Sequence, residues 1–468
     1  VAAYMGRRGK TLTAVGGRGI TSLRMPGSLA RPQGPPSPPT VMRLRALLAS
    51  ILVPALSTAC YEQVAGPGEE TDGRVTVIND SSSLAERIEY TDEDVPIDPP
   101  DPQTFAATPG MEATSPPALA PSDVNLTLIA EVDPPTIDGV ELQATSISAR
   151  SSLAFLVSYN VRGGTFLGGT DYIINWFGRR PRVLSAAYFA DSDVSAVALS
   201  GSAVYAATAT DDASFTTSAA LDVLGLSFFG LRILGQARVD LSSFAATSAL
   251  AVGQVIYVTT GDGGDLYALD ANDLSILAQS PLDDARWVAY DEDNGRIVVV
   301  QGTPGRIAVF EEGNFSGGSL NLLATYPFDG ADIAESKSTV DVVGGKAFIA
   351  AGSEGVQIMC LDDGSILGSV PRPDPASLGL DPSVVVTNAV SVEGDLMFIS
   401  NGEAGVYVAA GDEAFDQTSC SEPQSVGVLG QLQFGALESV NHVDYRSGVL
   451  LVAAGLGGLK IVTVSIVP

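Results

Sequence analysis

The side chains that carry out most protein chemistry are scarce in this sequence. It contains one histidine, His442, and three cysteines. A single histidine leaves no histidine cluster for zinc and no catalytic triad. The acidic, glycine-containing stretches 261–265 and 291–295 lack the ligand spacing of an EF-hand and are typical of hairpin turns. The sequence therefore predicts no catalytic residue, no metal site and no cofactor.

Cys60 ends a stretch that is typical of an export signal. Two arginines precede an apolar run at 46–56, and small residues follow at 57–59. This order of basic, apolar and small residues predicts a secretory signal, and the run is too short for a membrane span. The cysteine after the small residues resembles the lipobox of bacterial lipoproteins, which implies lipidation of Cys60. An ordinary secretory peptide is the alternative.

Composition divides the chain into four segments. Residues 1–41 are basic and aperiodic and predict an upstream extension outside the native protein; residues 42–59 predict a lipoprotein signal peptide. Residues 60–121 are acidic and proline-rich and predict a disordered tether, while residues 122–468 predict the folded domain. The expected location is the cell envelope, with the lipid in the outer membrane and the domain facing the periplasm or the surface.

Charge restricts the classes of partner. After residue 59 the chain carries 17 basic and 54 acidic residues, a net charge of −37. Binding to nucleic acid needs clustered lysine and arginine, so nucleic acid is excluded as a partner. Membrane contact is expected only through the N-terminal lipid.

The elements that position the remaining polar residues are repeats. Seven similar segments cover 147–159, 196–209, 249–269, 288–310, 340–361, 389–409 and 443–464. Equivalent glycines recur about every 50 residues, which is the length of a propeller blade. Each copy has an alternating strand, a glycine turn, a continuous apolar strand and two further strands. The fold class is therefore all-β: a β-propeller of seven blades with four antiparallel strands each.

Ring closure is also predicted. The last copy lacks a fourth strand, and residues 125–132 resemble the fourth strand of other copies. We expect this segment to complete the seventh blade, which removes an open sheet edge.

The last copy also carries a family resemblance. Residues 458–465 read Gly-Leu-Lys-Ile-Val-Thr-Val-Ser, with shorter echoes at 355–358 and 405–408. This sequence resembles the signature of the LVIVD-repeat family of bacterial exported β-propellers, over about 320 residues of the chain. The resemblance implies the fold and export but no particular activity.

Two candidate features follow from the repeats. Cys360 and Cys420 both follow the third strand of adjacent copies, so a disulfide in an oxidising compartment is one interpretation and two free thiols the other. One polar or aromatic residue per copy precedes the first strand, where the channel opens. These residues form a candidate ligand-binding ring of Ser146, Ser195, Ser248, Trp287, Thr339, Asn388 and His442. The alternative is that they only satisfy the strand ends.

These observations favour a monomeric, non-catalytic binding or interaction module. Its channel face would meet a protein, peptide or glycan partner. Two alternatives stay open at this point: a lyase or hydrolase acting at the channel face, and a structural or adhesive surface protein.

Overall fold

The computed structural model describes residues 68–99, 119–161, 163, 165–175, 180–334, 336–435 and 438–467, which belong to one compact unit, 63–468. The predicted extension, the signal peptide and Cys60 lie outside these residues. Within them, no helix is both long and apolar enough to cross a membrane.

Seven antiparallel sheets surround a channel, as the repeats predict. Blades are numbered in chain order, and the strands of a blade from the channel outward. Blade 1 consists of Gln143–Ser151, Ala154–Asn160, Gly168–Ile174 and Arg182–Phe189. Blade 2 consists of Ser192–Ser200, Ala203–Thr210, Ala219–Ser227 and Gly230–Asp240. Blade 3 consists of Ala246–Val252, Val255–Thr260, Asp265–Asp270 and Ile276–Pro281.

The remaining blades repeat this order. Blade 4 consists of Ala285–Asp291, Arg296–Gln301, Arg306–Ser316 and Ser319–Pro327. Blade 5 consists of Val340–Val343, Lys346–Ala350, Val356–Cys360 and Ile366–Val370. Blade 6 consists of Ala389–Glu393, Leu396–Ser400, Val406–Gly411 and Val426–Leu432. Blade 7 takes His442–Arg446, Val449–Ala453 and Leu459–Ile466 from the C-terminal region and Val124–Val132 from the N-terminal region.

The core lies between the blades. The second strands Lys346–Ala350 and Leu396–Ser400 are buried at every residue, because neighbouring blades cover both of their faces. One apolar cluster, for example, joins Val298 and Val300 of blade 4 to Ala347 and Ile349 of blade 5. The continuous apolar character of these strands is thus explained by burial on both faces.

The ring closes as predicted. Val124–Val132 pairs antiparallel with Leu459–Ile466, with Leu126 opposite Val464. Short elements lie around this closure and elsewhere at the rim: the 3₁₀ helix Pro121–Asp123, the strands Thr136–Ile137 and Val140–Glu141, and the helix Pro375–Leu378.

Residues 68–99 form ordered structure, so the prediction of a disordered tether is wrong for them. They contain Glu70–Thr71, Val75–Ile78, the helix Ser81–Ala85 and Ile88–Asp94. We call this segment the strap. It adds two strands to the outer edge of blade 1, one strand to the outer edge of blade 7 and a single bridge, at Asp98, to blade 6.

Two arginines fix the strap by ion pairs to buried carboxylates. Arg87 forms two hydrogen bonds to Asp171 of blade 1, at 2.7 and 3.0 Å, and that carboxylate is fully buried. Arg74 pairs with the buried Asp222 of blade 2 at 2.8 Å. The strap is also held by apolar side chains, because Val75, Val77, Leu84 and Ile88 are buried in the core clusters of the blades. The acidic and proline-rich composition of 60–121 as a whole does not show these local contacts.

The structure contains the disulfide between Cys360 and Cys420. The sulfurs are 1.98 Å apart and the Cα atoms 5.3 Å apart. Cys360 ends the third strand of blade 5, and Cys420 lies in the long connection between the third and fourth strands of blade 6. The bond therefore joins adjacent blades, which is the first of the two interpretations drawn from the sequence.

Candidate functional site

A cavity of about 470 Å³ runs along the propeller channel and is lined by the first strands of all seven blades. Each blade contributes to this cavity one residue from the equivalent position of its first strand. In most blades this position lies two residues before the strand ends at its hairpin. We call this set the channel ring: Ser148, Ala198, Leu250, Ala289, Asp341, Ser391 and Asp444.

The channel ring has two chemically different sides. Blades 5, 6, 7 and 1 place carboxylates and hydroxyls in it, whereas blades 2, 3 and 4 place only alanine and leucine there. The cavity is therefore amphipathic across its width. Such a mixture of apolar wall and few fixed polar groups is typical of ligand pockets.

Three polar side chains of the ring also join neighbouring blades. In each case the side-chain oxygen accepts a hydrogen bond from the backbone N–H of the next blade, at 2.9 Å. The pairs are Val392 N to Asp341 Oδ2, Tyr445 N to Ser391 Oγ, and Ala149 N to Asp444 Oδ2. These bonds link blades 5, 6, 7 and 1 in sequence and hold both carboxylates at fixed places on the wall.

The two carboxylates carry perturbed acidity. Burial raises the pKa of Asp444 to about 6, and the charges of Asp341 and Glu393 add to this rise while Arg446 opposes it. Burial raises the pKa of Asp341 as well, again against the effect of Arg446. Arg446 Nε lies 3.2 Å from Asp444 Oδ1, and the arginine side chain is 38% exposed. One guanidinium therefore does not offset the burial of this carboxylate group.

Three members of the ring predicted from the sequence line the cavity: Trp287, Thr339 and His442. The other four, Ser146, Ser195, Ser248 and Asn388, are not among the lining residues. Asn388 donates to the carbonyl of Val440, just before blade 7, at 3.4 Å, a bond of the structural kind that the alternative interpretation expects.

Residues one position before the predicted ring make similar bonds between blades. Thr145 Oγ1 donates to the carbonyl of Val194 at 3.3 Å, joining blades 1 and 2. Thr247 Oγ1 donates to the carbonyl of Ala285 at 2.7 Å, joining blades 3 and 4. At this level of the channel, hydroxyl groups thus secure the packing of the blades.

Two contacts cross the channel where the first strands begin. The rings of Trp287 in blade 4 and His442 in blade 7 lie 5.1 Å apart between centroids. Lys337, directly before blade 5, donates through Nζ to the carbonyl of Ser195 in blade 2 at 2.9 Å. Both pairs join blades three positions apart in a seven-bladed ring, so this end of the channel is spanned by side chains.

His442 is neutral and has an unsatisfied ring nitrogen. Its side chain is buried, and burial together with the charge of Lys337 lowers its pKa to about 3. Burial also lowers the pKa of Lys337, to about 8. Nδ1 of His442 is buried without a hydrogen-bond partner. A neutral imidazole offers one donor and one acceptor nitrogen, so one hydrogen-bonding position of this ring is unused in the structure.

The sequence reasoning missed the channel ring. A signal for it was present, because Asp341, Ser391 and Asp444 each interrupt an apolar first strand at the same position. As for metals, one group of three ligating side chains lies close together among the described residues: Cys360, Asp362 and Cys420. Its two sulfurs are bonded to each other.

Comparison with known proteins finds solved structures of low sequence identity. No family model matches the chain, and no curated protein matches it. The WD40 β-propeller domain of Doa1 has a TM-score of 0.45 at 10% identity and covers 71% of this chain and 96% of that one. The WD40 domain of Neurospora crassa Pan2 has a TM-score of 0.43 at 13% identity, covering 69% and 89%. The computationally designed Ika8 protein has a TM-score of 0.42 at 11% identity, covering 75% and 96%.

Proposed function

We propose that this β-propeller is a non-catalytic binding module whose channel holds part of its partner. The observation that carries the proposal is the unsatisfied Nδ1 of His442, which lies beside Trp287 on the lining of the channel cavity. Buried polar atoms in folded proteins are almost always hydrogen-bonded. A ligand atom that reaches this nitrogen after a small shift of the His442 ring would satisfy it, and the Trp287 ring would give the ligand an apolar surface.

The size of the cavity limits what enters it. Pockets of about 300–1,000 Å³ hold small molecules, and this cavity is about 470 Å³. We infer that a small molecule, one residue of a peptide or one sugar of a glycan enters the channel. The rest of a larger partner would contact the face around it.

The state of His442 argues against this residue as a catalytic base. A lyase or hydrolase at the channel face needs a base that accepts a proton near neutral pH. The pKa of this imidazole, lowered to about 3, makes it a weak base there.

Export and lipid anchoring at Cys60 complete the proposal. They are supported by the signal pattern at 42–60 and by the disulfide, because disulfides persist in oxidising compartments. The resemblance to the LVIVD-repeat family points to the same cell-envelope location. Mass spectrometry of the mature N-terminus tests it: a diacylglyceryl group on Cys60 is expected, and an unmodified N-terminus upstream of Cys60 would contradict it.

Channel binding is tested by tryptophan fluorescence. The chain has two tryptophans, so Trp176→Phe leaves Trp287 as the only indole. In that background, a panel of small amines, acids, short peptides and oligosaccharides is titrated. A binder in the channel shifts the Trp287 emission, and its affinity falls at least tenfold in His442→Ala and in Ala198→Phe, which fills the channel.

The matched control is Phe228→Ala, since Phe228 is 79% exposed at a hairpin tip of blade 2. This variant is expected to bind like the parent protein. Binding that is indifferent to Ala198→Phe would place the binding surface outside the channel and overturn the proposal.

A further inference from the structure

The charged groups that line the cavity are mostly acidic. Asp341, Asp444 and Glu292 line it, and Arg446 is the one cationic residue among the lining residues that the structure describes. Glu393 adds a further negative charge beside this group, as its effect on the pKa of Asp444 shows. Lys337 adds one positive charge at the spanned end of the channel, as its effect on the pKa of His442 shows. The channel therefore holds a surplus of negative charge inside a protein wall, where charge interactions are stronger than in water.

Hydrogen bonds hold the side chains of Asp341 and Asp444 in place on the channel wall. Asp341 accepts hydrogen bonds from the backbone N–H groups of Val342 and Val392, and Asp444 accepts one from Ala149. The hydroxyl of Ser391 occupies the position between them in the ring. Blades 5, 6 and 7 thus present three consecutive groups that accept hydrogen bonds along one wall of the cavity.

The opposite wall is apolar. Ala198, Leu250 and Ala289 occupy the same level in blades 2, 3 and 4. Trp287 continues this apolar surface towards the spanned end of the channel. A molecule that fills the cavity therefore meets acceptors and negative charge on one side and hydrocarbon on the other.

We propose, on the basis of the proposed function, that the channel ligand is an amphipathic organic ammonium whose cationic head binds between Asp341, Ser391 and Asp444. A primary ammonium carries one positive charge and three N–H donors, so it suits a wall of carboxylate and hydroxyl oxygens. Its aromatic or aliphatic body lies against Ala198, Leu250 and Ala289.

A metal ion suits this wall less well than an ammonium. Calcium takes six to eight oxygen ligands at about 2.3–2.6 Å, which requires several oxygens close together. Among the described residues, the channel carboxylates do not form such a group. Ca²⁺ at the same concentration as the amine is therefore expected not to displace it from the channel. Full displacement of the amine by Ca²⁺ would overturn the assignment to an organic cation.

The test uses three probes of similar shape and different charge: 2-phenylethylammonium, 2-phenylethanol and phenylacetate. Affinity is measured by calorimetry with the disulfide-intact protein and by Trp287 emission in the Trp176→Phe background. We expect the ammonium to bind at least tenfold more tightly than the alcohol and the acetate to bind most weakly. Raising the salt concentration should weaken only the ammonium.

Two variants locate the head group. Asp444→Asn and Asp341→Asn remove the charge and keep one oxygen, which can accept the bond from the neighbouring blade; Asp341→Asn gives up its second backbone bond, from Val342. Each should lower the affinity for the ammonium at least tenfold and leave that for the alcohol unchanged. Asp362→Asn is the control, because that side chain is 70% exposed outside the channel. Thermal unfolding of each variant shows that the fold is retained.

The outcomes separate this inference from the proposed function. Equal affinity for ammonium and alcohol, with both blocked by Ala198→Phe, would overturn the ammonium assignment and keep the channel as a binding site. The same holds if the amine fails while another compound of the panel shifts Trp287. If no compound shifts Trp287, both proposals fail. Ammonium binding that survives both asparagine variants would overturn the assignment to this wall.

Discussion

The two halves of the propeller are held together in different ways. In blades 2, 3 and 4, the channel ring is apolar and the chain runs without interruption from blade to blade. In blades 5, 6, 7 and 1, which include the closure by the N-terminal strand without a covalent link, polar ring residues join the blades, and the strap covers the outer edges of blades 1 and 7. We call these the continuous half and the seam half.

The difference shows what non-covalent closure requires. If paired strands alone closed the ring, the closure could open by breaking only the hydrogen bonds of those strands, because no peptide bond connects its two sides. Hydrogen bonds between blades at the channel and ion pairs at the rim raise the free energy that opening of the ring requires. The same polar wall gives the channel its chemistry, so the residues that secure the seam are also the ones that define the candidate binding site.

The largest effect is expected at the strap. Arg87→Ala leaves Asp171 buried and unpaired, which should lower the free energy of unfolding by about 3–5 kcal/mol. Chemical denaturation measures this. Arg180→Ala is the matched control, because its pair with Asp92 is exposed and should contribute about 0–1 kcal/mol. Equal effects of the two changes would mean that the strap does not stabilise the seam half.

A pH effect of similar size is expected from Asp444. Its pKa is higher in the folded protein, about 6, than its ordinary value of 3.8. Between these values the folded state binds more protons than the unfolded state, so stability falls as pH rises from about 4 to 6, by about 3 kcal/mol for a shift of this size. Unfolding curves of the parent protein and Asp444→Asn should differ by this slope. Identical slopes would show that Asp444 is not the titrating group.

A smaller effect is expected from a single bond between blades. Ser391→Ala leaves the buried N–H of Tyr445 without its acceptor and should cost about 1–3 kcal/mol. Ser148→Ala, at the equivalent ring position of blade 1, is the comparison and should cost less than about 0.5 kcal/mol, as ordinary surface changes do. If the two serine changes destabilise equally, the bond between blades 6 and 7 does not matter.

The smallest change extends the seam pattern into the continuous half. Ala198→Ser places a hydroxyl in blade 2 where the seam half has one, and a new bond to blade 3 would add about 0.5–1 kcal/mol. Thermal unfolding measures the gain. A loss of more than about 1 kcal/mol would show that the continuous half has no room for the bond.

Most of the fold could be predicted from the sequence because the repeats carry it. Burial on both faces requires an apolar second strand in every blade, and glycine-containing turns recur at the blade period, so the blade count, the strand count and the closing strand 125–132 are all correct. The strap could not be predicted in this way. Its order comes from strand edges, carboxylates and apolar surfaces that other parts of the chain provide, and local composition does not contain that information.

The candidate site was predicted less well than the fold. Alignment of the seven repeats with one another places residues such as Trp287 and His442 near the channel. It cannot show that these two side chains meet across the channel, because only closure of the ring brings blades 4 and 7 together. The same alignment contains Asp341 and Asp444, yet a polar residue in an alternating strand is ordinarily a solvated one. Only the closed ring turns these positions towards a shared cavity.

The closing strand Val124–Val132 is synthesised long before the strand with which it pairs in blade 7. Thr127 and its hydrogen-bond partner Thr463 are 336 residues apart in the chain, so at about 5–20 residues per second the first is synthesised on the order of 20–70 s before the second. Throughout this interval Val124–Val132 lacks its partner in the last blade. The strap strand Ile88–Asp94 is made earlier still and pairs with its opposite edge. Pairing with the strap strand covers one edge of Val124–Val132. The edge that stays unpaired is the one that later pairs with Leu459–Ile466 of the final blade.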